Sequence, residues 1–157
     1  MPVDNFPAAQ RINGMLCRMT FEDLPPDWPS RPLSDALLAC DVLDLCVSHA
    51  DRLQTGLCVL VLRPDLTLAQ PIFVAGPMPR AGRVSALSTL FSACSAHDVG
   101  AALVLGIVHE ESALSDKDRA LHQEAIEVCR RLGLNLVGTH LVTASDVETL
   151  PHSQRAA

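Results

Sequence analysis

Residues 101–143 read AALVLGIVHEESALSDKDRALHQEAIEVCRRLGLNLVGTHLVT, and this stretch decides the fold. Its first eight residues form a continuous apolar run, which is typical of a central strand covered on both faces. Ser115 can cap a helix that runs to about Leu132, and Gly133 supplies the stop signal. Residues 134–143 follow as a further strand. The stretch therefore predicts a crossover from one strand through a helix to a neighbouring strand.

The segments before this stretch predict two helices and a β-hairpin. Residues 33–53 and 84–97 both repeat apolar side chains at helical spacing. Residues 57–62 are a short apolar run, and residues 66–76 form a second strand in which Pro71 indicates an edge position or a bulge. A hairpin beside a crossover predicts an α/β fold with a mixed central sheet and helices packed on its faces in three layers.

Proline usage divides the chain into three parts. Residues 1–32 hold six of the 11 prolines and show no sustained period, so we expect an extended N-terminal arm that Trp28 packs against the body. Residues 33–150 carry the periodic segments and form the predicted domain. Residues 151–157 have little to bury and form a predicted flexible tail.

Composition argues against several classes of protein. The net charge is −6, with 12 Lys+Arg and 3% aromatic residues, so a nucleic-acid partner is not expected. No apolar run reaches the roughly 18 residues that a membrane helix needs. The six cysteines form no C-x-x-C pair and follow no recognised secretory signal, which indicates reduced thiols in a cytoplasmic protein. A second protein chain, or a second copy in a homodimer, is the expected partner.

Polar side chains at the end of the 101–108 strand suggest a metal site. His109, Glu111 and Asp118 could supply one nitrogen and two oxygens to a zinc ion and leave a fourth position for water. His122 follows Asp118 by four residues, so both lie on one face of the predicted helix and His122 could approach the same ion. Clefts beyond strand ends are also where α/β sheets bind ligands.

The same residues fit a purely structural role. Ser115 and Asp118 form the pattern S-x-x-D, in which the hydroxyl and the carboxylate satisfy backbone N–H groups of the first helical turn. Acidic residues in that turn also favour the positive end of the helix dipole. Under this interpretation, the stretch from His109 is a strand end followed by a capped helix, and no cofactor is expected.

The segments TGLCVLVL, PIFVAG and the stretch from VSALSTLF to GTHLVT resemble, in order and position, the RadC-type branch of the JAB/MPN (JAMM) metalloprotease family. The resemblance covers about residues 53–150 and implies a cytidine-deaminase-like arrangement of layers and a zinc-dependent hydrolase ancestry. It matches His109 to the first ligand histidine and Asp118 to the ligand aspartate. It also matches Ser115 to the serine that supports the reacting carbonyl, and His140 to a histidine of the last strand.

This sequence departs from the family pattern at two chemically important positions. Glu111 occupies the place of the second ligand histidine, and no glutamate lies between Glu22 and Glu110 to serve as general base. Loss of a general base removes roughly 10²–10⁴ in rate. The leading hypothesis is a non-catalytic assembly or partner-binding module, with no cofactor. The alternative hypothesis is a zinc-dependent isopeptidase or amide hydrolase that holds the ion with His109, Glu111 and Asp118, with His122 and His140 as additional candidates.

Overall fold

The computed structural model describes residues 24–75, 80–96, 102–111 and 113–151. Within these ranges a 3-10 turn at Trp28–Ser30 is followed by the regular elements. They are α1 (Ala36–Cys46), α2 (His49–Arg52), β1 (Gly56–Leu62), β2 (Leu68–Ala75), α3 (Arg80–Ala96), β3 (Ala102–Val108), α4 (Asp116–Leu132), β4 (Asn135–Val142) and β5 (Val147–Thr149).

The strands form one mixed sheet in the order β2-β1-β3-β4-β5. β1 pairs antiparallel with both β2 and β3, and β4 pairs antiparallel with β5. β3 and β4 are parallel and are joined by α4, which confirms the predicted crossover. β3 lies in the middle of the sheet, with every residue from Ala102 to Val108 buried. The expectation of an α/β fold with a mixed sheet is therefore confirmed.

Helices cover both faces of the sheet. Alternate residues of β1 and β3, such as Leu57 and Leu105, pack with Leu87 and Phe91 of α3 and with Leu121 of α4. The intervening residues face the other way. They pack with α1 in a second cluster, the α1-side cluster: Leu38, Val42, Leu43, Cys58, Leu60, Val104 and Val142 are among its members. Because strand side chains alternate between faces, two apolar layers form on the two sides of one sheet.

Side-chain hydrogen bonds set the ends of the helices. Asp35 caps α1 and accepts from the backbone N–H groups of Leu37 and Leu38. Val47 is extended, and Ser48 caps the short α2. One predicted helix over residues 33–53 is therefore two helices with a break between them.

The residues before α1 pack on the same side of the sheet as α1 itself. Leu24 and Trp28 pack at the edge of the α1-side cluster, as predicted for Trp28, and Leu33 is buried within it. The Leu33 N–H donates to the Leu66 carbonyl in the β1–β2 turn at 2.8 Å. The remainder of the predicted arm, residues 1–23, and the predicted tail beyond residue 151 lie outside the described residues.

Two further differences from the sequence prediction concern the extent of the elements. α3 begins at Arg80, whereas the sequence of residues 76–83 predicts a loop. β5 was not predicted, since three residues carry too little periodicity to be recognised. Pro71 lies in β2 at the edge of the sheet, as its lack of an N–H predicts. Within the described ranges, none of the helices is long and apolar enough to cross a bilayer.

Candidate functional site

The candidate site lies where β3 ends and α4 begins. His109 follows β3 directly, and its backbone N–H donates to the Val142 carbonyl of β4 at 3.1 Å. This bond continues the parallel ladder by one residue beyond β3, so the position of the His109 backbone is fixed by the sheet. The side chain is consequently presented to the first turn of α4 and not to open solvent.

Asp118 is the third residue of α4 and closes a capping box. Its Oδ2 accepts from the Ser115 backbone N–H at 2.9 Å, and the Ser115 hydroxyl accepts from the Asp118 N–H at 3.2 Å. The same Oδ2 lies 2.9 Å from Nε2 of His109. Two backbone groups of the helix terminus and one imidazole are thus held by a single Ser–Asp pair.

The Asp118 carboxylate is ionised in a buried setting. Its side chain is 1% exposed, and that burial alone would raise its pKa. The hydrogen bonds from His109 and from the Ser115 backbone act in the opposite direction and together leave the pKa of Asp118 below its ordinary value. An ionised Asp118 accepts the Nε2–H of His109, which fixes the imidazole in one orientation.

The pair formed by His109 and Asp118 is largely shielded from solvent, with side chains that are 12% and 1% exposed. The Nδ1 atom of His109 and the Oδ1 atom of Asp118 are both buried, as is Nε2 of His122 one turn further along α4.

Glu111, the third ligand of the predicted metal set, is exposed beyond the end of β3. Among the described residues, no three His, Cys, Asp or Glu side chains are arranged so that they could hold a metal ion. His109 and Asp118 offer one nitrogen and one oxygen, whereas a catalytic zinc ion takes three protein ligands. The donor set described here does not fit such a site.

His140 lies on the α1 side of the sheet, opposite the side that carries the His109–Asp118 pair. Leu103 pairs with Leu136 but Val104 pairs with Gly138, so β4 contains a bulge that reverses its alternation of faces. The His140 Nδ1 atom accordingly lies 3.6 Å from Cys40 Sγ of α1 and 3.1 Å from the Thr149 hydroxyl of β5. This histidine is not a neighbour of the His109–Asp118 pair.

The environment of His140 keeps its ring neutral. Burial disfavours the imidazolium, and repulsion from His122 adds to that effect, so that the pKa of His140 is lowered to about 4. A neutral ring can accept from the Thr149 hydroxyl or the Cys40 thiol through Nδ1. These two partners were not predicted, because Thr149 lies in the unrecognised β5 and a cysteine within an apolar helix carries no positional signal.

A second polar cluster that the sequence did not indicate joins α1 to α2. The Arg52 guanidinium is buried and lies 2.6 Å from the Asp44 carboxylate. It also donates to the carbonyls of Asp44, Val47 and Thr143. Arg52 therefore satisfies the end of α1 and ties it to the segment after β4. The eight-residue spacing of Arg52 and Asp44 crosses the break between helices, so helical periodicity could not reveal the pair.

Comparison with protein-family models gives no match, and no curated protein matches the chain. Function is therefore inferred from the fold and from the contacts of the described residues.

Proposed function

We propose that this chain is a RadC-like JAB/MPN domain that serves as a non-catalytic assembly or partner-binding module. The observation that carries the proposal is the hydrogen-bonded pair of His109 and Asp118. Asp118 Oδ2 is engaged by His109 and by the Ser115 backbone, and the remaining polar atoms of the pair are buried. The side chains that the family resemblance assigns to zinc are used here to fix a helix terminus to a strand end.

The other catalytic parts support the same proposal. The Ser115 hydroxyl oxygen accepts a hydrogen bond from the Asp118 N–H and caps α4, which accounts for this serine without an oxyanion role. Glu111 lies in solvent. The strand before β3 offers no glutamate to act as general base. These features favour a domain that keeps the layered fold without hydrolase chemistry.

Apolar side chains on the α1 side of the domain provide a surface for a protein partner. Among the described residues, the exposed large hydrophobic side chains are Leu37, Leu45 and Leu53, all in or next to α1 and α2. A pocket of about 270 Å³ adjoins Leu45 and is lined also by His49 and Arg52. Exposed leucines on one side of the domain supply apolar area that a protein partner could cover.

The test compares metal content and stability in three proteins. Elemental analysis of tag-free protein purified without chelator should find no stoichiometric zinc, in the wild type or in His109→Ala. Asp118→Ala should lower the free energy of unfolding by about 1–2 kcal/mol, since the helix loses its capping box. The matched Asp116→Ala change, at a fully exposed position in the same turn, should have a much smaller effect. Stoichiometric zinc that is lost in His109→Ala, together with zinc-dependent cleavage of an isopeptide substrate, would refute the proposal.

A zinc-dependent isopeptidase or amide hydrolase is the second candidate. The observation that favours it is the meeting of His109 and Asp118 at the carboxyl end of β3, where α/β sheets place ligands. In that case the two side chains would bind zinc, and the ion would supply an activated water. Zinc titration into the purified protein, followed by activity measurement, separates the two candidates, because only the hydrolase gains cleavage that His109→Ala abolishes.

A further inference from the structure

Three donor atoms on the α1 side of the sheet lie within bonding distance of one another. The Cys40 Sγ atom lies 3.6 Å from Nδ1 of His140 and 3.5 Å from the Thr149 hydroxyl. That hydroxyl lies 3.1 Å from the same Nδ1. A thiol, an imidazole and a hydroxyl therefore form a small triangle. The three residues belong to α1, β4 and β5, so the tertiary fold brings them together and no local sequence motif does.

The triangle has the dimensions of a set of metal ligands. Zinc binds thiolate sulfur at about 2.3 Å and imidazole nitrogen at about 2.0–2.1 Å, and at a tetrahedral angle these lengths place the two ligand atoms roughly 3.6 Å apart. Sγ of Cys40 and Nδ1 of His140 are separated by 3.6 Å. Cu(I) has the same closed d shell and bonds to both atoms at similar lengths. Hydrogen bonds hold the donors in place before an ion arrives, so the site is organised in advance.

The two strong donors can bind an ion with little change in their surroundings. Burial disfavours the imidazolium of His140 and His122 repels it, so the pKa of His140 is lowered to about 4 and the neutral ring offers a lone pair at neutral pH. Cys40 binds by exchanging its thiol proton for the ion. The proton leaves to solvent, and neither the sulfur nor the metal changes its oxidation state.

Charge and donor number select the ion. A thiolate with a monovalent cation is neutral overall, whereas a divalent cation would leave one positive charge uncompensated between Cys40 and His140, which are each 1% exposed. Structural zinc takes four strong ligands, and the third donor here, Thr149, offers only a neutral hydroxyl. Soft thiolate sulfur selects Cu(I), and imidazole also binds copper.

We propose that Cys40 and His140 bind a Cu(I) ion, with the Thr149 hydroxyl as a weak third ligand. Thr149 is exposed and β5 is a three-residue strand at the edge of the sheet, so the ion reaches the buried atoms past this side chain. The bound ion links α1 to β4 and β5. This site goes beyond the proposed function and does not depend on it, because the His109–Asp118 pair takes no part.

Competition for Cu(I) tests the site in the full-length chain. Anaerobic titration with Cu(I) in the presence of a chromophoric Cu(I) chelator measures the affinity. Cys40→Ser and His140→Gln should each weaken binding by at least about tenfold, since each removes a ligand. Cys46→Ser, which removes a half-buried thiol from the same helix, is the matched control and should leave the affinity unchanged. Equal losses in the two cysteine variants, or an unchanged affinity in His140→Gln, would overturn the proposal.

The wild-type protein gives a readout that does not depend on the folding of a variant. X-ray absorption of the complex with one equivalent of Cu(I) should show one sulfur ligand and one or two nitrogen or oxygen ligands, with outer-shell scattering from an imidazole. Coordination by sulfur alone would assign the ion to other thiols and overturn the proposal. Cu(I) should also raise the Tm of the wild type, because it binds the folded state, and should not raise that of His140→Gln. An equal rise in both proteins would contradict the site.

Discussion

Lowering the pH is expected to destabilise the domain through His140. Its imidazole is buried between Cys40 and Thr149, and its pKa in the folded protein is about 4, compared with 6.5 for an unperturbed histidine. Because the unfolded chain binds this proton at a higher pH than the folded chain, the neutral ring contributes stability that is fully present above about pH 6.5. That contribution falls as the pH decreases towards 4.

The magnitude follows from the two pKa values. One pKa unit corresponds to about 1.4 kcal/mol. At pH values below both pKa values, the lowering of the His140 pKa from 6.5 to about 4 therefore reduces the free energy of unfolding by roughly 3 kcal/mol. Between the two values, His140 should contribute a slope of at most about 1.4 kcal/mol per pH unit to the free energy of unfolding. For a domain of this size, that is a large part of the total stability.

Urea unfolding at several pH values between about 7.5 and 4.5 measures this slope, with Trp28 fluorescence and far-UV circular dichroism as probes. His140→Gln keeps a neutral hydrogen-bonding side chain but removes the titration, so its stability should depend less on pH over this range. His49→Gln, which replaces an exposed imidazole of α2, controls for the loss of a histidine as such. Parallel stability curves for wild type and His140→Gln would refute the argument.

Two further substitutions test the packing of the fold. Gly56→Ala should lower the free energy of unfolding by about 1–3 kcal/mol, because the added Cβ would overlap the Val74 carbonyl oxygen of the paired strand. Thermal denaturation measures this loss of stability. A loss no larger than that caused by Gly138→Ala would contradict the prediction. Arg52→Met should cost about 3 kcal/mol, because the partly buried Asp44 carboxylate loses its Arg52 ion pair and the end of α1 loses its donors. Urea denaturation checks this second value, and recovery of stability on adding Asp44→Leu would identify the loss of the Arg52–Asp44 pair as the cause.

The parts of the fold that have long periodic segments were predictable from the sequence. The buried run of β3, the capping residues of α4 and the stop at Gly133 agree with the structure. The unpredicted parts depend on short-range or tertiary effects. Gly82 and the prolines before it obscure the start of α3, although a helix held by tertiary packing tolerates a glycine. The break after Cys46 occurs within a continuous helical pattern.

The candidate site was predictable only where its residues are local. Ser115 and Asp118 are three residues apart, and the capping box that they form agrees with the structural role that their spacing suggests. The contact of His109 with Asp118 follows from the tight β3–α4 connection. The position of His140 was not predictable, because one extra residue in β4 reverses the faces of every side chain after it. The amino-acid sequence of β4 gives no sign of the bulge other than a single glycine.

The proline in β2 has a consequence for how copies of this protein can assemble. The segment that follows it, Ile72 to Val74, consists of apolar residues that are β-branched or aromatic. This composition favours strand-to-strand aggregation. Pro71 cannot donate a hydrogen bond to an incoming strand, and β5 at the opposite edge is only three residues long. Both rims of the sheet are poor templates for polymerisation. Ordered assembly is thereby directed to the helical faces, and fibril growth from the native state is disfavoured.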